Sequence, residues 1–168
     1  LEGNLSLVDQ TRENLRRVVR GMPARERAYA EIKARASTRY APMTVARIVG
    51  DTGAGLVAGS YAVPGTFTKE AWLGYVQPAI KEAANKELQT KDWVLNVAAR
   101  DDLTLEGSPE QIQKALVTMY KTEYAREWQR FMQGVAIQDF SSFDQAVTGM
   151  NLLGDPTNSP IRKVLDTA

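Results

Sequence analysis

Ser108-Pro109-Glu110-Gln111-Ile112-Gln113-Lys114-Ala115-Leu116-Val117-Thr118-Met119-Tyr120-Lys121-Thr122-Glu123-Tyr124-Ala125-Arg126-Glu127-Trp128-Gln129-Arg130-Phe131-Met132-Gln133-Gly134 is the stretch that decides the fold. It reads as one long helix with both ends marked. The Ser108 hydroxyl suits an N-cap, where it accepts a bond from a free N–H of the first turn. Pro109 suits the first helical position, where its missing N–H is no loss. Gln111, three residues after the serine, completes a capping box. Gly134 suits the position just past the end, as a C′ residue able to take positive φ. In between, Ile112, Leu116, Tyr120, Tyr124, Trp128, Phe131 and Val135 step by three and four, which is one apolar stripe at helical period. Lys114, Lys121, Glu123, Arg126, Glu127 and Arg130 fall largely off it. At 1.5 Å per residue the helix runs roughly 37 Å, the span of a small domain. Its aromatic face needs other elements packed on it.

Working outward, the N-terminal side predicts a helical hairpin over 5–36. Val8, Thr11, Leu15, Val18, Val19 and Met22 form one face of its first helix, with Arg12, Glu13, Arg16, Arg17 and Arg20 opposite. Gly21-Met22-Pro23 breaks the pattern, and Tyr29, Ile32 and Ala36 mark the buried stripe of the second helix. Residues 37–66 read as an irregular glycine-rich loop or short-strand segment. In it Thr44 caps a short turn ended by Gly50, Val63 is extended because it precedes a proline, and Pro64-Gly65 fits a type II turn. Thr68 caps a helix over 69–89 that Pro78 should kink near Tyr75. Ser141 and Asp144 are a capping pattern for a short helix over 142–153, whose stripe is Phe143, Ala146, Val147 and Met150. Ser159-Pro160 starts another over 160–168. The fold class expected is mainly α: a helical bundle-like domain built on one long central helix. The whole of 1–168 reads as a single helical domain and a fragment of a larger chain.

Composition narrows the chemistry. The chain has 168 residues, with 43% hydrophobic and 24% charged, as an ordinary globular domain does. The 21 basic and 20 acidic residues leave a net charge of +1, which gives no reason to expect nucleic acid or an anionic membrane surface as partner. Cysteine and histidine are absent. That excludes disulfides, Cys nucleophiles, His-based triads and thiolate or imidazole metal sites. No cofactor, metal site or catalytic set is expected.

Three features invite a functional reading, each beside a plainer one. Gly50-Asp51-Thr52-Gly53-Ala54-Gly55 has the glycine content of a phosphate loop but lacks its Gly-Lys-Ser/Thr end, so a surface loop explains it. Asp101, Asp102 and Glu106 have the residue types of a carboxylate site, with no calcium-loop spacing, and a solvated connection explains them. Trp72, Trp93 and Trp128, with Tyr75, Tyr120 and Tyr124, have the chemistry to stack on sugars or bases, but a stripe at helical spacing is the mark of a core. Trp72 and Tyr75 follow the Pro-Gly turn and are the expected exposed binding candidates. Two alternatives to a structural role follow. One is a cell-wall glycosidase working through Glu106. The other is a stand-alone helical adaptor that recognises its partner through the Gly50–Ser60 loop.

Several stretches resemble a known family. Pro23-Ala24-Arg25-Glu26-Arg27-Ala28-Tyr29 is similar to its Pro…Arg-x-Tyr helix start. Val63-Pro64-Gly65-Thr66-Phe67-Thr68, then Tyr75-Val76-Gln77-Pro78-Ala79-Ile80, then Asp92-Trp93-Val94-Leu95 follow its central series, with Asn96 where a glycine is usual. Met119-Tyr120, Tyr124, Trp128 and Phe131 match its Tyr-x₃-Tyr-x₃-Trp-x₂-Phe helix. Ser159-Pro160-Ile161 resembles its Asp-Ser-Pro-Leu, with Asn158 for the aspartate. The family is IcmF/TssM, the inner-membrane core protein of the bacterial type VI secretion system, and residues 51–62 match it least. The resemblance implies a periplasmic helical domain of an inner-membrane protein, without enzymatic activity. It implies a scaffold that links the inner-membrane partner TssL to the outer-membrane lipoprotein TssJ and associates with copies of itself. The lipoprotein contacts in that family fall mainly on a β-rich domain absent from this chain. By the same resemblance, Tyr120, Tyr124, Trp128 and Trp93 are packing positions.

Overall fold

The computed structural model describes residues 23–85 and 107–168. The first helix of the expected hairpin, Trp93, and the carboxylates Asp101, Asp102 and Glu106 lie outside the described residues. The elements in chain order are α1 (Ala24–Arg39), α2 (Val45–Gly53), β1 (Val57–Ala58), a 3₁₀ turn (Gly65–Phe67), α3 (Lys69–Ala71), a π-helical turn (Trp72–Val76), α4 (Gln77–Ala84), α5 (Pro109–Gln133), β2 (Ala136–Ile137), α6 (Phe143–Leu153) and α7 (Pro160–Thr167). The protein is mainly α. Its described β structure is slight: β1 and β2 pair antiparallel, Val57 with Ile137 and Ala58 with Ala136, and Met43 and Val63 form a bridge.

Two compact units can be distinguished: Leu1–Ile32 with Ala79–Leu116, and Lys33–Pro78 with Val117–Ala168. In the first, Ala28, Tyr29 and Ile32 of α1, Ile80 and Ala84 of α4, and Ile112 and Leu116 of α5 are buried. The start of α5 is a formed capping box. The Gln111 N–H donates to the Ser108 hydroxyl at 3.3 Å, and the Ser108 N–H donates to Gln111 Oε1 at 3.0 Å. Two otherwise orphaned donors are satisfied reciprocally.

The second unit carries the rest of α5 and everything packed on it. Its buried residues include Val45, Val49, Val57, Val63, Phe67, Val76, Tyr120, Trp128, Phe131 and Val164. α2 packs against α7, with Thr44 capping α2 by accepting from the Arg47 N–H. Ser159 starts α7 in the same way, accepting from the Arg162 N–H.

The expected kink before Pro78 takes a defined form. Proline has no N–H to give the carbonyl four residues back, and its ring crowds that carbonyl. The helix answers with one π turn over Trp72–Val76, closed by the Gln77 N–H on the Trp72 carbonyl.

Four local expectations are corrected. Residues 45–53, expected as a short turn and glycine-rich loop, are helical as far as Gly53; Gly50, at φ 63°, is a break within α2. Pro64-Gly65 is no type II turn, because Gly65 does not take positive φ. It opens the 3₁₀ turn, the Phe67 N–H donating to the Pro64 carbonyl at 2.9 Å. Glycine is needed there for space, since a Cβ would stand 1.8 Å from the Tyr40 carbonyl oxygen. Gly134 likewise ends α5 without positive φ. The cap of α6 is Ser142, whose hydroxyl accepts from the Gln145 N–H at 3.2 Å, while Gln145 Oε1 accepts from the N–H and hydroxyl of Ser141. The residue three places after the true cap is Gln145, so that glutamine, not Asp144, reaches back.

Trp128 is 4% exposed and its indole N–H donates to the Phe67 carbonyl at 2.8 Å. Trp128→Ala is therefore expected to destabilise by about 3–5 kcal/mol in urea unfolding. Trp128→Phe, which keeps a ring but orphans a buried carbonyl, should cost about 1–3 kcal/mol. Gly65→Ala should cost about 1–3 kcal/mol through overpacking. Gly55→Ala, with nothing within 4 Å of the new Cβ, should stay within about 0.5 kcal/mol of the parent, as surface changes do.

Candidate functional site

The aromatic face of α5 is the feature with the most distinctive geometry. Along it the rings form a ladder. Tyr120 and Tyr124 stand 5.9 Å apart between centroids, Tyr124 and Trp128 6.1 Å, and Trp128 and Phe131 5.1 Å with an edge-on approach. These separations lie within the favourable range for aromatic pairs. Phe67 adds a ring 5.5 Å from Tyr120. The phenol of Tyr120 donates to the Thr66 carbonyl at 2.9 Å, beside the Trp128 bond to Phe67.

The two residues expected at the surface part company. Trp72 is half-buried and stacked on Tyr120 at 4.8 Å, so one face of its indole is already occupied. Tyr75 is 8% exposed, which corrects its reading as an exposed candidate. Its ring faces inward, and the Arg39 guanidinium lies 4.3 Å over it. Its hydroxyl finds no hydrogen-bond partner among the described residues. Tyr124, expected as core, is half-buried, with its hydroxyl donating to the Ala168 carbonyl at 3.0 Å.

Charge enters this face where the stripe reading did not place it. Glu127 is buried, although it stands among the residues assigned to the solvent side. The Tyr61 hydroxyl donates to it, and Arg126 and Arg130 approach its carboxylate at 4.0 and 3.8 Å. Lys33 pairs with Glu123 at 2.9 Å. The only signal for Glu127 in the sequence is its place beside Trp128, and a position on a helix does not reveal a tyrosine arriving from elsewhere in the chain. The Tyr61–Glu127 and Lys33–Glu123 pairs join segments far apart in the chain. Among the described residues no group of three or more His, Cys, Asp or Glu is placed to hold a metal ion.

The glycine stretch has no phosphate-loop geometry. Such a loop runs from a strand into a helix, and here the order is reversed: α2 comes first and β1 follows. Beyond the single exposed residues Leu73, Ile137 and Leu165, exposed large apolar side chains gather on α6. Phe143, Val147 and Met150, expected to be its buried stripe, are exposed by 82%, 45% and 66%. The helix packs instead through Gly149, which sits against Phe140 and Leu56. Beside it a cleft of about 480 Å³ is walled by Leu56, Phe140, Leu152, Asp139 and Asp144.

A family model described as "IcmF-related: Intracellular multiplication and human macrophage-killing" matches residues 1–168. A solved chain described as "Type VI secretion system membrane core complex" shares the fold, with a TM-score of 0.61 at 23% sequence identity. The likeness covers 83% of this chain and 25% of that one, so the chain spans about a quarter of the length of the solved chain it matches. No curated protein matches it.

The ladder makes a pH prediction. The Tyr120 phenol is pushed well above its ordinary 10.0, first by burial and then by the neighbouring Tyr124, and burial raises Tyr124 as well. A raised pKa in the folded state means that the stability these phenols contribute is complete below the unfolded pKa. It is lost as pH rises past about 10 towards the folded values. Unfolding free energy is expected to fall above about pH 10, and Tyr120→Phe should flatten that fall. An unchanged alkaline slope in the variant would show that other groups cause it.

Proposed function

We propose a function from one premise: the chain belongs to the IcmF-related family. The domain is a structural part of the type VI secretion membrane core complex. It lies in the periplasmic portion of an inner-membrane protein and works as a scaffold between the inner- and outer-membrane parts. It acts by packing, without catalysis. Its partners are copies of itself and neighbouring subunits. TssL and the lipoprotein TssJ are reached through parts of the longer protein, the lipoprotein mainly through a β-rich domain that is not in this chain.

The observation that carries the reading is the fold match over 83% of the chain to a protein of such a complex, alongside a family match over the full length. The physical character of the domain supports it. Three of its side-chain contacts, Trp128 to Phe67, Tyr120 to Thr66 and Tyr61 to Glu127, tie α5 to other segments of the chain. Such ties suit a domain that holds other surfaces in position. No described helix is long and apolar enough to cross a membrane, so membrane attachment in this reading comes from segments outside the described residues.

The Gly50–Ser60 adaptor reading has lost most of its loop to α2 and β1. Nothing among the described residues favours the Glu106 glycosidase. The test is an in-frame deletion of the region 1–168 from the complete protein. The expected result is loss of type VI secretion and of the assembled core complex, measured by effector release and by co-purification of the inner- and outer-membrane partners. Secretion and assembly at the parent level would overturn the proposal.

A further inference from the structure

The helix α6 is amphipathic in sequence and fixed the wrong way round for burial. At 100° per residue, Phe143, Val147 and Met150 fall in one narrow sector, as residues i, i+4 and i+7 do. Gly149 lies on the far side of the helix and is the buried one, pressed against Phe140 and Leu56. The apolar sector is therefore turned away from the core, with Phe143 82% and Met150 66% exposed. A contiguous apolar strip of this kind on a fixed helix marks a surface that another molecule covers.

Charge selects the class of molecule. From Phe131 to Ile161 the chain has Asp139, Asp144 and Asp155 and none of its 21 lysines and arginines. Asp144 flanks the strip in the first turn of α6, and the last turn of α6 has no basic residue. Asp155, just past the end, accepts from the N–H groups of Thr157 and Asn158 at 2.7 Å each, which holds its carboxyl below the usual range and keeps it charged. The negative end of the helix dipole adds to it. Arg162, on α7, is engaged by Asp166 at 3.6 Å and by the Pro156 carbonyl. An apolar strip with a carboxylate beside it suits the long stem and cationic head of an arginine or lysine.

We infer that the outward face of α6, bearing Phe143, Val147 and Met150, is a docking surface for a basic amphipathic helix of a partner protein. A second copy using the same face would add its own Asp144 and Asp155 to these carboxylates, like charge facing like. An anionic lipid surface is opposed by the same charge. The inference rests on reading the domain as part of a larger assembly, and it adds to that reading the place and chemistry of one contact.

The test places a photo-crosslinking amino acid at Val147 of the complete protein in its membrane complex and sequences what is captured. The expected product is a protein segment with apolar residues at helical spacing and an excess of lysine and arginine. Met150→Asp should lower its yield roughly tenfold, as loss of a central apolar anchor does, and Asp144→Lys should lower it too. Both positions are exposed, so the amount of folded protein should stay constant. No protein product, a lipid adduct, capture of the same face of another copy, or a segment without net positive charge would overturn the inference. So would a loss of folded protein in both variants. Crosslinking reports occupancy of the face and the deletion reports secretion, so either proposal can fail alone.

Discussion

The second unit depends on two hydrogen bonds from aromatic side chains to neighbouring carbonyls. Trp128 donates its indole N–H to Phe67, and Tyr120 donates its phenol to Thr66. Both acceptors belong to the 3₁₀ turn Gly65–Phe67, all of whose residues are buried. A short buried turn has carbonyls that no strand or helix satisfies, and each would cost about 1–3 kcal/mol if left unpaired. This explains why the stripe of α5 is tyrosine and tryptophan at these positions. A leucine or phenylalanine fills comparable space but has no donor at its tip. Phe131, further along the same face, is 1% exposed and makes a ring contact with Trp128.

The same constraint explains the neighbourhood. The turn is held from behind by the close approach of Gly65 to the Tyr40 carbonyl and by the Thr66 hydroxyl on the Lys33 carbonyl at 3.2 Å. It is followed at once by Thr68, which caps α3 and also donates to the Gly65 carbonyl at 2.8 Å. The segment after α1, the turn and the aromatic face of α5 are therefore one interlocked set. Such an arrangement uses its polar groups for cohesion. The apolar sector of α6 is the contrasting feature, since large side chains there are exposed although the fold has a core available to take them. A surface on an already formed helix suits a subunit contact, because it is presented without a cost of ordering it on binding.

Much of this was legible in one dimension. The capping box at Ser108, the serine–proline start of α7 and the Tyr29, Ile32 and Ala36 stripe depend on residues within a few positions of each other. Local chemistry is therefore enough to read them. The disturbance before Pro78 was legible for the same reason, although its form as a π turn was not. The errors share a cause. Gly65 was read for its freedom of φ when its role is to admit the Tyr40 carbonyl. Glu127 was read from its helix position when Tyr61 decides its environment. Tyr75 reads as exposed from its place soon after the Pro64-Gly65 turn, whereas it shares a buried side with Ala71 and Ala79.

Sequence alone settled the mainly helical class, the long capped helix, the absence of cysteine and histidine chemistry and the family resemblance. All of these are written in composition, period or motif order. Only the tertiary structure decided which side of each amphipathic helix is covered. On α5 the aromatic stripe is the covered side, because the Thr66 and Phe67 carbonyls meet its donors. On α6 a stripe of equal periodicity is the open side, because the small Gly149 lets the opposite face approach Phe140 and Leu56. Hydrophobic period shows that a helix has an apolar face. What lies against that face is fixed by contacts between residues far apart in the chain, and these do not appear in any local pattern.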